Sequence, residues 1–284
     1  MEFNRELEDL FSAATAWLRV RRNTVNALNI FPVPDGDTGT NMLHTLTAAA
    51  GAFGRPVQPL DRLCREIVVA GLMGARGNSG VIPANFLKGC FTALAGTAGP
   101  RPTRAGIAAA LAAGRAQVYA GTSAPVEGTI LTLITAVEQH AAALFDTDTP
   151  LTLADAIRDL RTHAQAALER TEHQMELLRT AGVVDAGACG FYYIIEGIDR
   201  RLAGRPLDEG ARHEGFQPGM GTDGAGWRTA PEAEFCLVTV YTGREAPAAE
   251  TAEIRGLLDR SYGGAAVESF YGGQPAYHFL IAVE

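Results

Sequence analysis

Apolar residues recur at helical spacing through the first 200 residues, and short turns rich in Gly, Pro and Asp interrupt the pattern again and again. Leu7, Leu10, Phe11, Ala14, Trp17 and Leu18 place one stripe on a helix over 4–28. Further helices are predicted over about 40–52, over 59–74 opened by Pro59, and over 80–95. The next run from Thr103 to about 120, from about 128 to 145, from Thr152 to about 180, and onward to about 203, with Thr103 and Thr152 as N-caps. No alternating apolar pattern occurs in this stretch, so a parallel α/β sheet is disfavoured. Eight helices on short connections predict a mainly α fold, an eight-helix antiparallel barrel or bundle.

The texture then changes. Residues 204–231 are rich in glycine and poor in apolar side chains, which reads as a linker. Beyond it, residues 234–243 are β-rich, a helix is predicted near 248–262, and the runs AAVESFY and AYHFLIAVE flank Gly272-Gly273, a hairpin signal. The expected organisation is a helical domain over 1–203, a linker over 204–231, and a small α/β (β-α-β-β) unit over 232–284.

Composition narrows the chemistry. The chain carries a net charge of -8 and its only lysine is Lys88, outside any G-x-x-x-x-G-K-[ST] context. A P-loop is therefore absent, as are the lysine and H-R-D signatures of protein kinases. The acidic balance argues against a nucleic-acid partner, and the Arg19, Arg21, Arg22 cluster reads as a solvated helix face. The cysteines at 64, 90, 189 and 236 have no spacing that makes a metal knuckle or redox pair. The N-terminus does not read as a signal peptide and no apolar run is long enough for a membrane span, so a cytoplasmic protein is expected.

Asp35-Gly36-Asp37 is the leading site candidate. Two carboxylates at i and i+2 on a glycine-containing loop can turn toward one point and suit a hard cation such as Mg²⁺. Asp and Gly also dominate ordinary turns, so the tripeptide alone does not decide. An EF-hand fails, because the sixth loop position is Thr40 and the twelfth Leu46. Thr38, Gly39, Thr40 and Asn41 follow at a helix start, where exposed N–H groups and the helix dipole favour an anion. Three more turns, GARGNSG (74–80), PVEGT (125–129) and VVDAGACG (183–190), are small, polar and glycine-bearing, and each precedes a helix. Turns after alternate helices share one end of an antiparallel bundle, so these four would meet there. Within them Arg76 either contacts phosphate or pairs with a helix end. His44, His140, His163 and His173 read as structural or surface residues.

The segments NALNIFPVPDGDTGTNM (26–42), GARGNSGVI (74–82), PVEGTILTLI (125–134) and GVVDAGACGF (182–191) resemble the nucleotide-binding domain of bacterial fatty acid kinase, of the DhaL-type superfamily of dihydroxyacetone kinase nucleotide-binding subunits. The resemblance covers about residues 1–203. It implies an eight-helix barrel with ATP or ADP and Mg²⁺ at one end. It places the metal-binding, catalytic aspartates at Asp35 and Asp37, with Asn29 where another branch has a further Asp. Nucleotide contacts would fall on Thr38, Gly39, Thr40, Asn41, Gly77, Asn78, Ser79, Gly80, Thr129, Asp185 and Gly187.

The same resemblance implies a kinase subunit that passes the γ-phosphoryl of ATP to a fatty acid carboxylate held by a DegV-type fatty-acid-binding protein, and it leaves room for a homodimer. A dihydroxyacetone-type subunit with another substrate-binding partner is the alternative, and a non-catalytic nucleotide-binding regulator is a third. Family members continue through a middle domain into a further large domain, whereas this sequence stops at Glu284, a shortened C-terminus. The middle domain's Cys-Thr-Glu-Phe is replaced by Glu232-Ala233-Glu234-Phe235, and Ala282 and Glu284 stand near its paired histidines. Cys236 and His278 alone do not make a closed metal site.

Overall fold

A computed structural model describes residues 2–54, 59–97, 101–122, 124–147 and 150–208, together with the backbone of 237–242, 266–271 and 279–283. The chain divides into two compact units, Met1–Thr222 and Asp223–Glu284.

The described residues of the first unit are helical: α1 (Glu2–Ala27), α2 (Thr38–Ala50), α3 (Leu60–Gly74), α4 (Gly77–Ala95), α5 (Arg104–Ala120), α6 (Ile130–Phe145), α7 (Leu153–Gln174), α8 (Glu176–Ala181) and α9 (Ala186–Leu202). Thr103 and Thr152 are N-caps as expected, accepting from the amides of Gly106 and Asp155. Nine helices stand among the described residues where the pattern predicts eight. The expected seventh helix breaks at Met175, whose backbone is extended (φ -122, ψ 132), and the six-residue α8 follows. Gly182 closes α8 at φ 63, a left-handed geometry that glycine adopts without a Cβ penalty. The break is invisible to periodicity because Thr171, Met175 and Leu178 keep the i, i+4, i+7 spacing across it.

Each long helix packs on its neighbour in sequence, and α9 returns against α1, α6 and α7, so the eight long helices close into a ring. Trp17, Met42, Ile67, Leu133, Leu168, Tyr192 and Tyr193 fill its core. Close approach depends on small residues. A Cβ on Gly197 of α9 would meet Trp17 Cβ at 2.8 Å and the Ala13 carbonyl at 2.9 Å. Charge is buried beside this contact. Trp17 Nε1 donates to Glu196 at 2.8 Å, and the Arg21 and Arg200 guanidinium groups lie over the indole at 4.3 and 4.0 Å. Arg161 and Arg205 pair with buried Asp199. Buried charges of this kind must be paired to be tolerated. Arg21 therefore departs from the expected solvated face, while Arg19 and Arg22 are exposed.

The second unit contains β1 (Leu237–Thr242), β2 (Ala266–Tyr271) and β3 (Phe279–Val283) in the order β2-β1-β3. β1 pairs with β2 in parallel, Leu237 opposite Ala266, and with β3 antiparallel, Val238 opposite Val283. This corrects the hairpin expected at Gly272-Gly273, since β2 and β3 flank β1 and are not paired with each other. A parallel pair needs a crossover of a dozen or more residues, which the chain between Thr242 and Ala266 is long enough to supply. The expected helix at 248–262, linker residues 209–231, Cys236 and His278 lie outside the described residues.

Candidate functional site

Helices α2, α4, α6 and α9 begin at one end of the ring, and their first residues line one cavity of about 490 Å³. That volume is within the range of small-molecule sites, roughly 300–1,000 Å³. Asp35, Asp37, Thr38 and Asn41 line it from the first turn and α2, with Asn29 at the end of the α1 connection. Gly77, Asn78 and Ser79 come from α4, Thr129 from the start of α6, and Asp185 and Gly187 from α9. Among the described residues no Lys, Arg or His lines the cavity.

The four helix starts are not equivalent. The α2 amides are held within the protein: Asn29 Oδ1 accepts from Thr38 N at 3.1 Å and from its hydroxyl at 2.5 Å, and Asn26 Oδ1 accepts from Thr40 N at 3.1 Å. At α6, Thr129 Oγ1 accepts from Leu131 N at 3.3 Å. At α9, Asp185 accepts from Ala188 N at 2.7 Å. The same carboxylate bonds to the backbone of Gly187 and, across the interface, of Ile130, so it ties α6 to α9. Only α4 opens differently. Its N-cap, Arg76, gives no side-chain bond, and the amides of Gly77, Asn78 and Ser79 carry no partner among the described residues. An uncapped helix N-terminus with the positive end of its dipole is a ready anion site. Ser79 Oγ lies beside it, accepting from Asn41 Nδ2 at 3.3 Å.

Opposite in charge stands the aspartate loop. Gly36 sits at φ 66, a conformation that reverses the chain between Asp35 and Asp37 and brings the two carboxyls together. The Asp35 carboxyl is raised above its ordinary range, first by desolvation and then by the Asp37 charge and a hydrogen bond with it. Two like charges held this close favour either a shared proton or a bound cation. Burial pushes Asp185 up to about 6, against the three backbone bonds that lower it.

Three expected contacts do not line the cavity. Gly39 faces α1, where a Cβ would meet the Arg22 carbonyl at 2.5 Å and Val25 Cβ at 2.9 Å. The Thr40 hydroxyl accepts from Asn26 Nδ2 at 3.0 Å, and the Gly80 carbonyl accepts from the Thr45 hydroxyl at 3.0 Å. These residues set how α2 meets α1 and α4. Asn29, named as a further metal position, has its side-chain oxygen engaged by two Thr38 donors while its Nδ2 donates to Val33 O at 2.7 Å. Arg76 is exposed and donates to the carbonyls of Met73 and Ala75 at the end of α3. Sequence reasoning passed over Phe31, Val33, Ile82, Asn85, Thr122, Val126 and Leu131, which also line the cavity. The signal for Asn85 was present, since Asn78, Val81, Ile82 and Asn85 form an i, i+3, i+4, i+7 stripe on α4.

Comparison with known proteins places this site in a family. Residues 32–200 match the DAK2 domain, and residues 231–284 match the FakA-like C-terminal domain of fatty acid kinase. Protein YloV of Bacillus subtilis is 36% identical over 213 residues, covering 73% of this chain and 37% of that protein. The uncharacterized protein MG369 of Mycoplasma genitalium is 33% identical over 180 residues, covering 61% and 32%. The chain thus spans about a third of the length of these relatives. The crystal structure of the dihydroxyacetone kinase from C. freundii in complex with AMP-PNP and Mg²⁺ shares the fold, with a TM-score of 0.51 at 20% identity over 68% of this chain and 33% of that one.

Proposed function

Because the chain belongs to the DAK2-domain family, we propose that it is the nucleotide-binding subunit of a two-component kinase, which holds a magnesium–nucleotide complex in the cavity and passes the γ-phosphoryl group to an acceptor carried by a second protein. One observation carries this reading. The cavity combines paired aspartates with three uncapped amides and, among the described residues, has no basic side chain. Such a lining suits a polyphosphate only as its complex with a cation.

The donor set fits Mg²⁺. Among the described residues no group of three or more His, Cys, Asp or Glu side chains is placed to hold a metal, and Mg²⁺ commonly takes one or two carboxylates plus phosphate and water. Asp35 and Asp37 would hold it, and when bound it supplies neutralisation of phosphate charge. The chain's own groups do the rest. The Gly77, Asn78 and Ser79 amides receive phosphate oxygens at the positive end of α4. Asn41 orients Ser79, while Asn26 and Asn29 hold the first turn of α2 so that Asp37 keeps its place at the N-cap.

A fatty acid carboxylate is the acceptor we favour. Its oxygen forms the new bond to the γ-phosphorus as the bond to the bridging oxygen breaks, and that electron pair leaves with ADP, giving an acyl phosphate. A carboxylate is ionised near neutral pH, so no general base is required. The cavity is in keeping with this, because Asp185 is buried and committed to backbone amides and the aspartate pair serves a cation. The match of residues 231–284 to the FakA-like domain of fatty acid kinase supports this acceptor over dihydroxyacetone, which the fold likeness alone would equally allow. A DegV-type fatty-acid-binding protein is the corresponding partner, and a cytoplasmic setting suits its substrates. No helix among the described residues is long and apolar enough to cross a membrane.

The test is phosphoryl transfer from Mg-ATP by the chain mixed with a purified DegV-type partner, offered a long-chain fatty acid or dihydroxyacetone. Acyl phosphate formed only with partner and fatty acid supports the proposal. Transfer to dihydroxyacetone moves the chain to the alternative branch. Nucleotide binding without transfer to either would make it a regulatory binder.

A further inference from the structure

The cavity has a second half whose chemistry differs from the aspartate and α4 end. It is walled by Ile82 and Val81 of α4, by Val126 from the turn before α6, and by Leu131. Two polar side chains enter it, Asn85 and Thr122. The Thr122 hydroxyl donates to the Val118 carbonyl at 2.8 Å, so its proton is spent. The Asn85 amide has no hydrogen-bond partner among the described residues, which leaves both its donor and its acceptor uncommitted. It is also confined. Gly121 backs it so closely that a Cβ there would stand 2.8 Å from Asn85 Nδ2. Asn85 lies six residues beyond Ser79 on α4, roughly 9 Å along the axis from the uncapped amides.

Resting on the nucleotide reading above, we infer that Asn85 is the specificity-determining residue for the base: a purine stacks between the apolar walls, and the Asn85 amide selects adenine over guanine. Adenine offers a 6-amino donor beside a ring-nitrogen acceptor, the pattern an asparagine amide meets with two bonds. Guanine brings an additional amino group, a ring N–H and a carbonyl. One amide in an apolar half-cavity cannot partner them all, and polar groups left buried without partners penalise binding. The phosphates lie toward the α4 amides, so base and phosphate recognition separate along one helix.

The experiment measures binding of Mg-ADP, Mg-GDP and Mg-pyrophosphate to the full chain by calorimetry, for wild type, Asn85→Ala and the isosteric Asn85→Asp, with thermal melts to check folding. Wild type is expected to prefer ADP over GDP by about tenfold or more, the size of one lost buried bond. Asn85→Ala weakens ADP about tenfold by the same reasoning, and Asn85→Asp, which only accepts, moves the ADP-to-GDP ratio toward GDP. Pyrophosphate binds all three alike. If ADP binding and the ADP-to-GDP ratio survive both substitutions, the base does not sit at Asn85 and the inference falls while the nucleotide reading stands. Loss of pyrophosphate together with ADP in a folded variant assigns Asn85 a structural role and also overturns it. If wild type binds neither ADP nor pyrophosphate, the nucleotide reading fails and the inference fails with it.

Discussion

Asp185 makes the sharpest quantitative prediction. Its carboxyl is buried between the starts of α6 and α9, where three backbone amides lower its pKa and desolvation raises it. Desolvation wins, and the group stands at about 6 against an ordinary 3.8. A carboxyl raised in the folded state stabilises the fold in its protonated form. That contribution is complete below the unfolded value and is lost as pH rises through the folded one. A shift of about two units corresponds to roughly 3 kcal/mol. Asp185→Asn removes the titration while keeping the shape, so subtracting its profile cancels every other group. Urea unfolding followed by helical circular dichroism between pH 4 and 7.5 should show wild type losing about 3 kcal/mol relative to the variant as pH rises, mostly between pH 4 and 6. Parallel profiles for the two proteins would refute the reasoning, and would mean that the amides outweigh burial and hold Asp185 ionised.

Two further perturbations test the packing that shapes the site. Gly39→Ala places a methyl group 2.5 Å from the Arg22 carbonyl and forces α1 and α2 apart, at a cost of about 1–3 kcal/mol read from the unfolding midpoint. An unchanged midpoint would show that the two helices can separate freely. Trp17→Phe strips the indole donor from buried Glu196 and should cost about 1–3 kcal/mol, with part recovered in Trp17→Phe/Glu196→Gln. Equal stabilities for wild type and Trp17→Phe would place no energetic weight on that bond.

Much of the ring was legible because amphipathic helices announce themselves by spacing and by caps such as Thr103 and Thr152, both local signals. The break at Met175 was not, since Thr171 and Leu178 continue the same stripe on either side. The strand order escaped for a related reason. Gly272-Gly273 signals a tight turn, but pairing partners are set by the sheet, and β1 takes the central place. At the site, residue types suitable for a cation and an anion could be read from Asp35-Gly36-Asp37 and GARGNSG. Which amides remain open could not, because that depends on Asn26 and Asn29 reaching α2 while nothing caps α4. Gly39 and Gly80 look like backbone approach points for a ligand, yet the backbone and side chains that approach them belong to the protein itself. Asn85 comes to the cavity only through the packing of α4 against the α5–α6 connection.

The most direct test of the central claim is calorimetric titration of ATP with and without Mg²⁺, comparing wild type with Asp35→Asn/Asp37→Asn. The account predicts binding that requires Mg²⁺ and is lost in the double variant while its fold is retained. Equal binding in the presence of a chelator, or an unchanged affinity in the double variant, would contradict the assignment of the aspartate loop as the cation site.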